Sequence, residues 1–165
     1  MTALHTCFPP VSRADTRLLI LGSLPGAQSL AAGRYYANPR NQFWKLVGAL
    51  IGVDLDALTY SERLDALLDH GIGLWDTVAS AERVGSLDAD IRLREASDLV
   101  GLVGALPELR AIAFNGGTSA KVGRAQIGAT TLTLIDLPSS SPAYTLLFAD
   151  KLARWIELRV YLPAR

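Results

Sequence analysis

The chain has one cysteine, Cys7, in 165 residues, which excludes a disulfide framework. It has two histidines, His5 and His70, too few beside a lone thiol for a structural zinc cluster. No metal and no cofactor are expected. An excess of charge is lacking as well: 16 basic side chains face 16 acidic ones, so the formal net charge is zero. That excludes a global positive field. Any nucleic-acid binding must come from local basic groups and helix N-termini. No apolar run is long enough to cross a bilayer, and the start lacks the basic and apolar regions of a signal peptide. The expected setting is cytoplasmic, and a monomer is expected.

What is present is a globular composition, 50% hydrophobic and 19% charged, of a length that suits one domain over residues 1–165. Residues 1–16, with Pro9 and Pro10, read as an N-terminal arm. Arg17 to Leu21 is a short apolar run ending at Gly22, as in a buried parallel strand. Phe43 to Ile51 reads as a helix. Thr59 and Glu62 have capping-box spacing before a second helix that Gly71 ends. Gly71 to Val78 reads as a strand, and residues 79–96 as a polar connection with a helical turn. Ser97 to Leu106 is a predicted helix, Arg110 to Phe114 a strand, 118–126 a helix, Thr130 to Leu137 a strand and Leu146 to Val160 a final helix. Strands alternating with helices predict an α/β fold, a parallel sheet covered on both faces. In such folds the site lies beyond the C-terminal strand ends. The segments GSLPG, WDTV, NGG and LPSSSPAY should therefore meet there.

These segments, with YYANPRNQFW at 35–44, occur in an order and spacing that resemble the uracil-DNA glycosylase superfamily. The likeness is to its hypoxanthine-DNA glycosylase branch first and to the mismatch-specific uracil-DNA glycosylase branch next. The resemblance implies a three-layer α/β/α sandwich with a four-stranded parallel sheet in the order 2-1-3-4. It also implies a monofunctional DNA glycosylase. Such an enzyme flips a deaminated base (hypoxanthine favoured, uracil possible) out of DNA and hydrolyses its N-glycosidic bond. The expected partner is DNA containing deaminated bases.

By the same resemblance Asn41 is the catalytic candidate. In many related families the residue before the motif proline is an Asn or Asp that activates water, but here it is Leu24. The Asn of the P-x-N-x-FW segment takes that role in the hypoxanthine branch. The other reading of Asn41 is a helix cap before Phe43, and the two are compatible. Tyr36, five residues earlier, is the candidate to stack on the flipped base. Tyr35 supports it or is core, and Phe43 and Trp44 are packing. Ser23, Leu24 and Gly26 form the turn at the base, with Gly26 allowing close backbone approach.

Asp76 stands where related enzymes carry an Asn that reads the base edge. As an acceptor, an ionised carboxylate takes N1–H of hypoxanthine or N3–H of uracil and repels the N1 lone pair of adenine. The other reading is a cap for the segment at Thr77. Ser139, Ser140 and Ser141 are candidate phosphate contacts, and Tyr144 is the candidate wedge for the gap in the duplex. Asn115-Gly116-Gly117 reads as a structural turn that buttresses the site through its backbone. Lys121 and Arg124 are phosphate contacts or a solvated face.

Three alternatives stand beside this reading. One is a mismatch-specific uracil glycosylase. A second is a non-catalytic binder of damaged bases, suggested by Leu24 and the zero net charge. The third is a small-molecule hydrolase built on Ser139 to Ser141 and His70, against which the absence of a G-x-S-x-G elbow counts.

Overall fold

The computed structural model describes residues 3–83 and 92–164. Four parallel strands form the central sheet: β2 (Leu18–Gly22), β3 (Ile72–Asp76), β6 (Ala111–Asn115) and β7 (Thr133–Leu137), in the order β3-β2-β6-β7. In order of appearance within the sheet this is 2-1-3-4, as the resemblance implied. Leu18 to Leu21 are fully buried because both faces of β2 are covered. Alternate side chains serve opposite faces. Leu18 and Ile20 join Phe43, Leu67 and Trp155 in one cluster, while Leu19 and Leu21 join Leu99, Ile112 and Phe114 in the other. Each such aliphatic burial contributes about 1.5–3 kcal/mol.

The first cluster packs α2 (Phe43–Ile51), α3 (Tyr60–Asp69) and α6 (Phe148–Trp155) against the sheet. The second packs α4 (Leu99–Gly104) and α5 (Gly117–Ile127). A short α1 (Ala27–Ala32) follows β2. The Thr59–Glu62 capping box is formed in both directions, at 3.2 and 3.0 Å. The last helix is shorter than the sequence suggests, since the chain tightens into a 3-10 helix at Ile156–Tyr161.

Two expectations need correction. Residues 1–16 are not merely an arm: Ala3–Thr6 form β1, and Val11 bridges Leu74 on the edge of β3. Residues 79–96 do not hold a helical turn where they are described. Val78–Arg83 (β4) and Arg92–Ala96 (β5) pair antiparallel, and β1 pairs on β4, giving a second sheet in the order β1-β4-β5. The rest of that expected connection, 84–91, lies outside the described residues. The physical reason is that an antiparallel ladder is held by backbone hydrogen bonds, which any sequence of polar residues can supply.

Candidate active site

The strand ends Gly22, Asp76 and Asn115, with the loops that follow β2 and β7, open onto one cavity of about 690 Å³. That is within the usual size range of ligand pockets, roughly 300–1,000 Å³. Ser23, Leu24, Gly26, Tyr36, Asn41, Asp76, Ser139, Ser140, Ser141 and Tyr144 line it, whereas Lys121, Arg124 and His70 do not.

Tyr36 sits on the loop before α2 with φ +53°, a left-handed conformation that is costly for a bulky side chain. Two contacts hold it. Trp44 Nε1 donates to its carbonyl at 3.1 Å, and Phe43 stacks on its ring with centroids 3.8 Å apart and planes 12° apart. Tyr36 lines the cavity beside Asn41 and Asp76. Tyr35 is core: it is buried, and its hydroxyl donates to the Pro9 carbonyl at 3.0 Å. Burial, reinforced by the Asp76 charge, pushes the Tyr35 phenol well above its ordinary range, so it remains a neutral donor.

The N-cap of α2 is Gln42, whose side chain makes no capping bond. Asn41 is therefore not the helix cap; it lies one residue earlier and bonds the chain entering the helix. Its Oδ1 accepts the Phe43 N–H at 2.9 Å. A backbone N–H can only donate, so this bond fixes which end of the amide is oxygen. A carboxamide has a second lone pair and two N–H donors, which are the groups Asn41 can offer to a water or a sugar in the cavity.

Asp76, 3% exposed, ends β3 beside Gly22. A Cβ on Gly22 would lie 2.6 Å from Asp76 Oδ1 and 3.1 Å from the Tyr36 hydroxyl oxygen. Only a bare Cα leaves room for both oxygens over the end of β2. Leu24 is buried and packs with Val78, Cys7 and Val122, so its side chain serves a small apolar cluster beneath the turn. Ser23 is buried, and its carbonyl accepts the Val78 N–H at 2.9 Å. Gly26 has φ −72° and ψ 173°, open to any residue, and its carbonyl accepts the Leu30 N–H at 3.0 Å.

The three serines differ. Ser140 is 1% exposed; its N–H donates to Asn115 Oδ1 at 2.9 Å and its hydroxyl accepts from Asn115 Nδ2 at 2.9 Å. Its polar groups therefore turn inward. Ser139 Oγ accepts the Ser141 N–H at 3.1 Å, and Ser141 Oγ accepts the Ala143 N–H at 3.2 Å. Both side chains shape the loop and keep one hydroxyl proton to give. Tyr144 is an exposed aromatic, followed by the exposed Leu146 and Leu147.

Sequence reasoning missed two residues here. Asn115, read as a turn acting through its backbone, acts through its side chain. Lys151, on α6, is 1% exposed and donates to the Ser141 carbonyl at 3.2 Å. Its ammonium lies 5.4 Å from the centre of the Tyr144 ring. Arg124 is committed elsewhere, in an ion pair with Asp136 at 3.0 Å. Among the described residues, no lysine lines the cavity and no cluster of three or more His, Cys, Asp or Glu is placed to hold a metal.

Comparison with known proteins agrees with this geometry. Residues 9–161 match the family model described as the uracil DNA glycosylase superfamily. A hypoxanthine DNA glycosylase of Methanosarcina acetivorans is 39% identical over 148 residues, covering 90% of this chain and 93% of the relative. One of Methanosarcina barkeri is 43% identical over 112 residues, covering 68% of this chain and 71% of the relative. A solution NMR structure from Methanosarcina acetivorans, described as a proposed uracil DNA glycosylase, superposes with a TM-score of 0.86 at 36% identity. It covers 95% of this chain and 97% of that one. A match over almost the whole chain, joined to a cavity at the C-terminal ends of a 2-1-3-4 parallel sheet, places this chain in the uracil-DNA glycosylase superfamily.

Proposed function

We propose that the protein is a monofunctional DNA glycosylase that releases deaminated bases, hypoxanthine first, and leaves an abasic site. The observation that carries the proposal is the convergence of Tyr36, Asn41 and Asp76 on one cavity of about 690 Å³. The similarity to relatives named hypoxanthine DNA glycosylase supports the choice of base.

The reaction breaks the bond between C1′ and the base nitrogen. The electron pair leaves with the base, positive charge builds on the sugar, and water adds to C1′ while giving up a proton. Positioning and electrostatics therefore carry most of the catalysis. The flipped base lies on the ring of Tyr36, a stacking worth about 1–3 kcal/mol. Asp76 accepts the lactam N–H of hypoxanthine, which adenine lacks at that position. The Asn41 amide holds the attacking water. An amide is not a base at neutral pH, so the water is oriented toward a sugar cation already forming. Ser139 and Ser141 face the phosphates, while Ser140 is turned inward onto Asn115. Tyr144, with Leu146 and Leu147 beside it, fills the space in the duplex.

No lysine lines the cavity among the described residues, so no amine is placed to form a Schiff base with C1′. This supports simple hydrolysis without strand cleavage.

The test is a panel of duplexes carrying hypoxanthine, uracil or xanthine. Abasic sites in the hypoxanthine duplex above all others are expected. Uracil preferred over hypoxanthine would favour the mismatch-specific uracil reading, and retention without base release would favour a binder.

A further inference from the structure

We infer that Asn115 is a positioning residue: it forces the Tyr36 hydroxyl to act as a donor on the side where Asp76 lies. The inference rests on the glycosylase reading above and names a residue that reading does not use.

Hydrogen-bond direction fixes the role of each group. Asn115 ends β6 and is 7% exposed. Its Oδ1 accepts the Ser140 N–H at 2.9 Å. Because that backbone group can only donate, the amide cannot be turned the other way. Its nitrogen must then face the two remaining partners, the Ser140 hydroxyl at 2.9 Å and the Tyr36 hydroxyl at 3.2 Å. Both amide protons are used. The Tyr36 oxygen is an acceptor toward Asn115, so its own proton has to point elsewhere.

Gly22 leaves room for it beside Asp76. The Tyr36 hydroxyl oxygen and Asp76 Oδ1 border the same small space, at 3.1 and 2.6 Å from the position a Gly22 Cβ would occupy. A donor beside a carboxylate favours its ionised form and fixes its orientation. An ionised, oriented Asp76 is what recognition of a lactam N–H requires. The Ser140 carbonyl also accepts the Gln42 N–H at 3.0 Å, next to Asn41. Asn115 thus ties the serine loop, Tyr36 and the segment carrying Asn41 into one unit.

An Asn115→Asp variant separates docking from direction. Its carboxylate still accepts the Ser140 N–H and can accept the Ser140 O–H, so the loop stays in place. Toward Tyr36 it can only accept, so the hydroxyl proton turns away from Asp76. Tyr36→Phe removes the hydroxyl and keeps the ring.

The experiment measures single-turnover release of hypoxanthine and, separately, the Kd for a duplex carrying an uncleavable 2′-fluoro analogue. Each variant is expected to slow release by about tenfold or more while changing Kd by less than about threefold, the split of an interaction made mainly in the transition state. The double variant is expected to be no slower than the slower single one, within about twofold, because both changes remove the same donor. Asn115→Asp releasing base within about twofold of wild type overturns the inference, as do losses that multiply in the double variant. If Asn115→Asp does not fold, Tyr36→Phe decides alone, and a wild-type rate in it overturns the inference. Wild-type protein that releases no base from any duplex overturns the glycosylase reading, and this inference with it. Wild-type protein that does release base leaves that reading standing whatever the variants do.

Discussion

The Phe43 N–H donates to the Asn41 side-chain oxygen at 2.9 Å, so the candidate water holder also secures the entry to α2. Asn41→Ala therefore loses two things at once. That hydrogen bond is worth about 0.5–1.5 kcal/mol, and removing a positioned polar group from a site of developing charge costs about 10²–10³ in rate. Asn41→Asp keeps the structural part, because a carboxylate still accepts the Phe43 N–H. Thermal melting should show a loss in Asn41→Ala that Asn41→Asp restores. Single-turnover release should fall by about 10²-fold or more in Asn41→Ala. Near-normal release in that variant would remove Asn41 from the chemistry and leave it a structural residue at the helix entry.

Gly22 offers a test of the cavity floor. Its φ lies outside the left-handed range, so alanine is not barred by the backbone. It is barred by space, with Asp76 Oδ1 and the Tyr36 hydroxyl oxygen 2.6 and 3.1 Å from the added carbon. Overpacking of this kind costs about 1–3 kcal/mol. Gly22→Ala should fold with a lowered melting point and release base at least about tenfold more slowly, since both oxygens must move. A stable Gly22→Ala variant with wild-type rates would place Asp76 and Tyr36 outside the base-binding region.

The sheet was largely legible in the sequence because its two central strands, β2 and β6, are buried on both faces. Leu18 to Leu21 form an unbroken apolar run, and the capping box at Thr59 needed only local spacing. The second sheet was not, because its pairing is long-range: Ala3 lies opposite Arg83. The signal that was available is the alternation of Ile91-Arg92-Leu93-Arg94. The site was legible as a set of segments, since the strand ends of a parallel sheet must meet. Their internal wiring was not. Asn115 bonds to Tyr36, 79 positions away, and nothing local distinguishes that side chain from an ordinary turn asparagine.

Leu24 stands where many related families carry a water-activating amide or acid, which invites Leu24→Asn as a gain of uracil excision. The structure argues otherwise. The Leu24 side chain packs in the small cluster with Val78, Cys7 and Val122. An amide there would be buried among apolar groups, at about 1–3 kcal/mol without a partner. The expected outcome is a lowered melting point and no increase in uracil release. Faster uracil release with unchanged stability would show that the turn still presents this side chain to the sugar.

Lys151 gives the prediction with a pH sign. Burial pushes its ammonium below the ordinary value of 10.5. The unfolded chain then holds that proton more tightly than the fold does. Between the folded value and 10.5 the unfolded state carries more protons, so this group makes stability rise with pH. Tyr35, Tyr60 and Cys7 act in the opposite sense, because burial raises their values and the fold keeps their protons longer. The lysine contribution must therefore be read as a difference between wild type and Lys151→Met, in which those groups cancel. Denaturant melts from about pH 8 to 10.5 should show wild type gaining on Lys151→Met as pH rises. At neutral pH the same variant should bind duplex DNA more weakly. It loses the bond to the Ser141 carbonyl and the cation over the Tyr144 ring, which together hold the serine loop against α6. A flat difference curve would mean that the ammonium is as well hydrated in the fold as outside it, and the loop would then owe its shape to Asn115 and Ser140 instead.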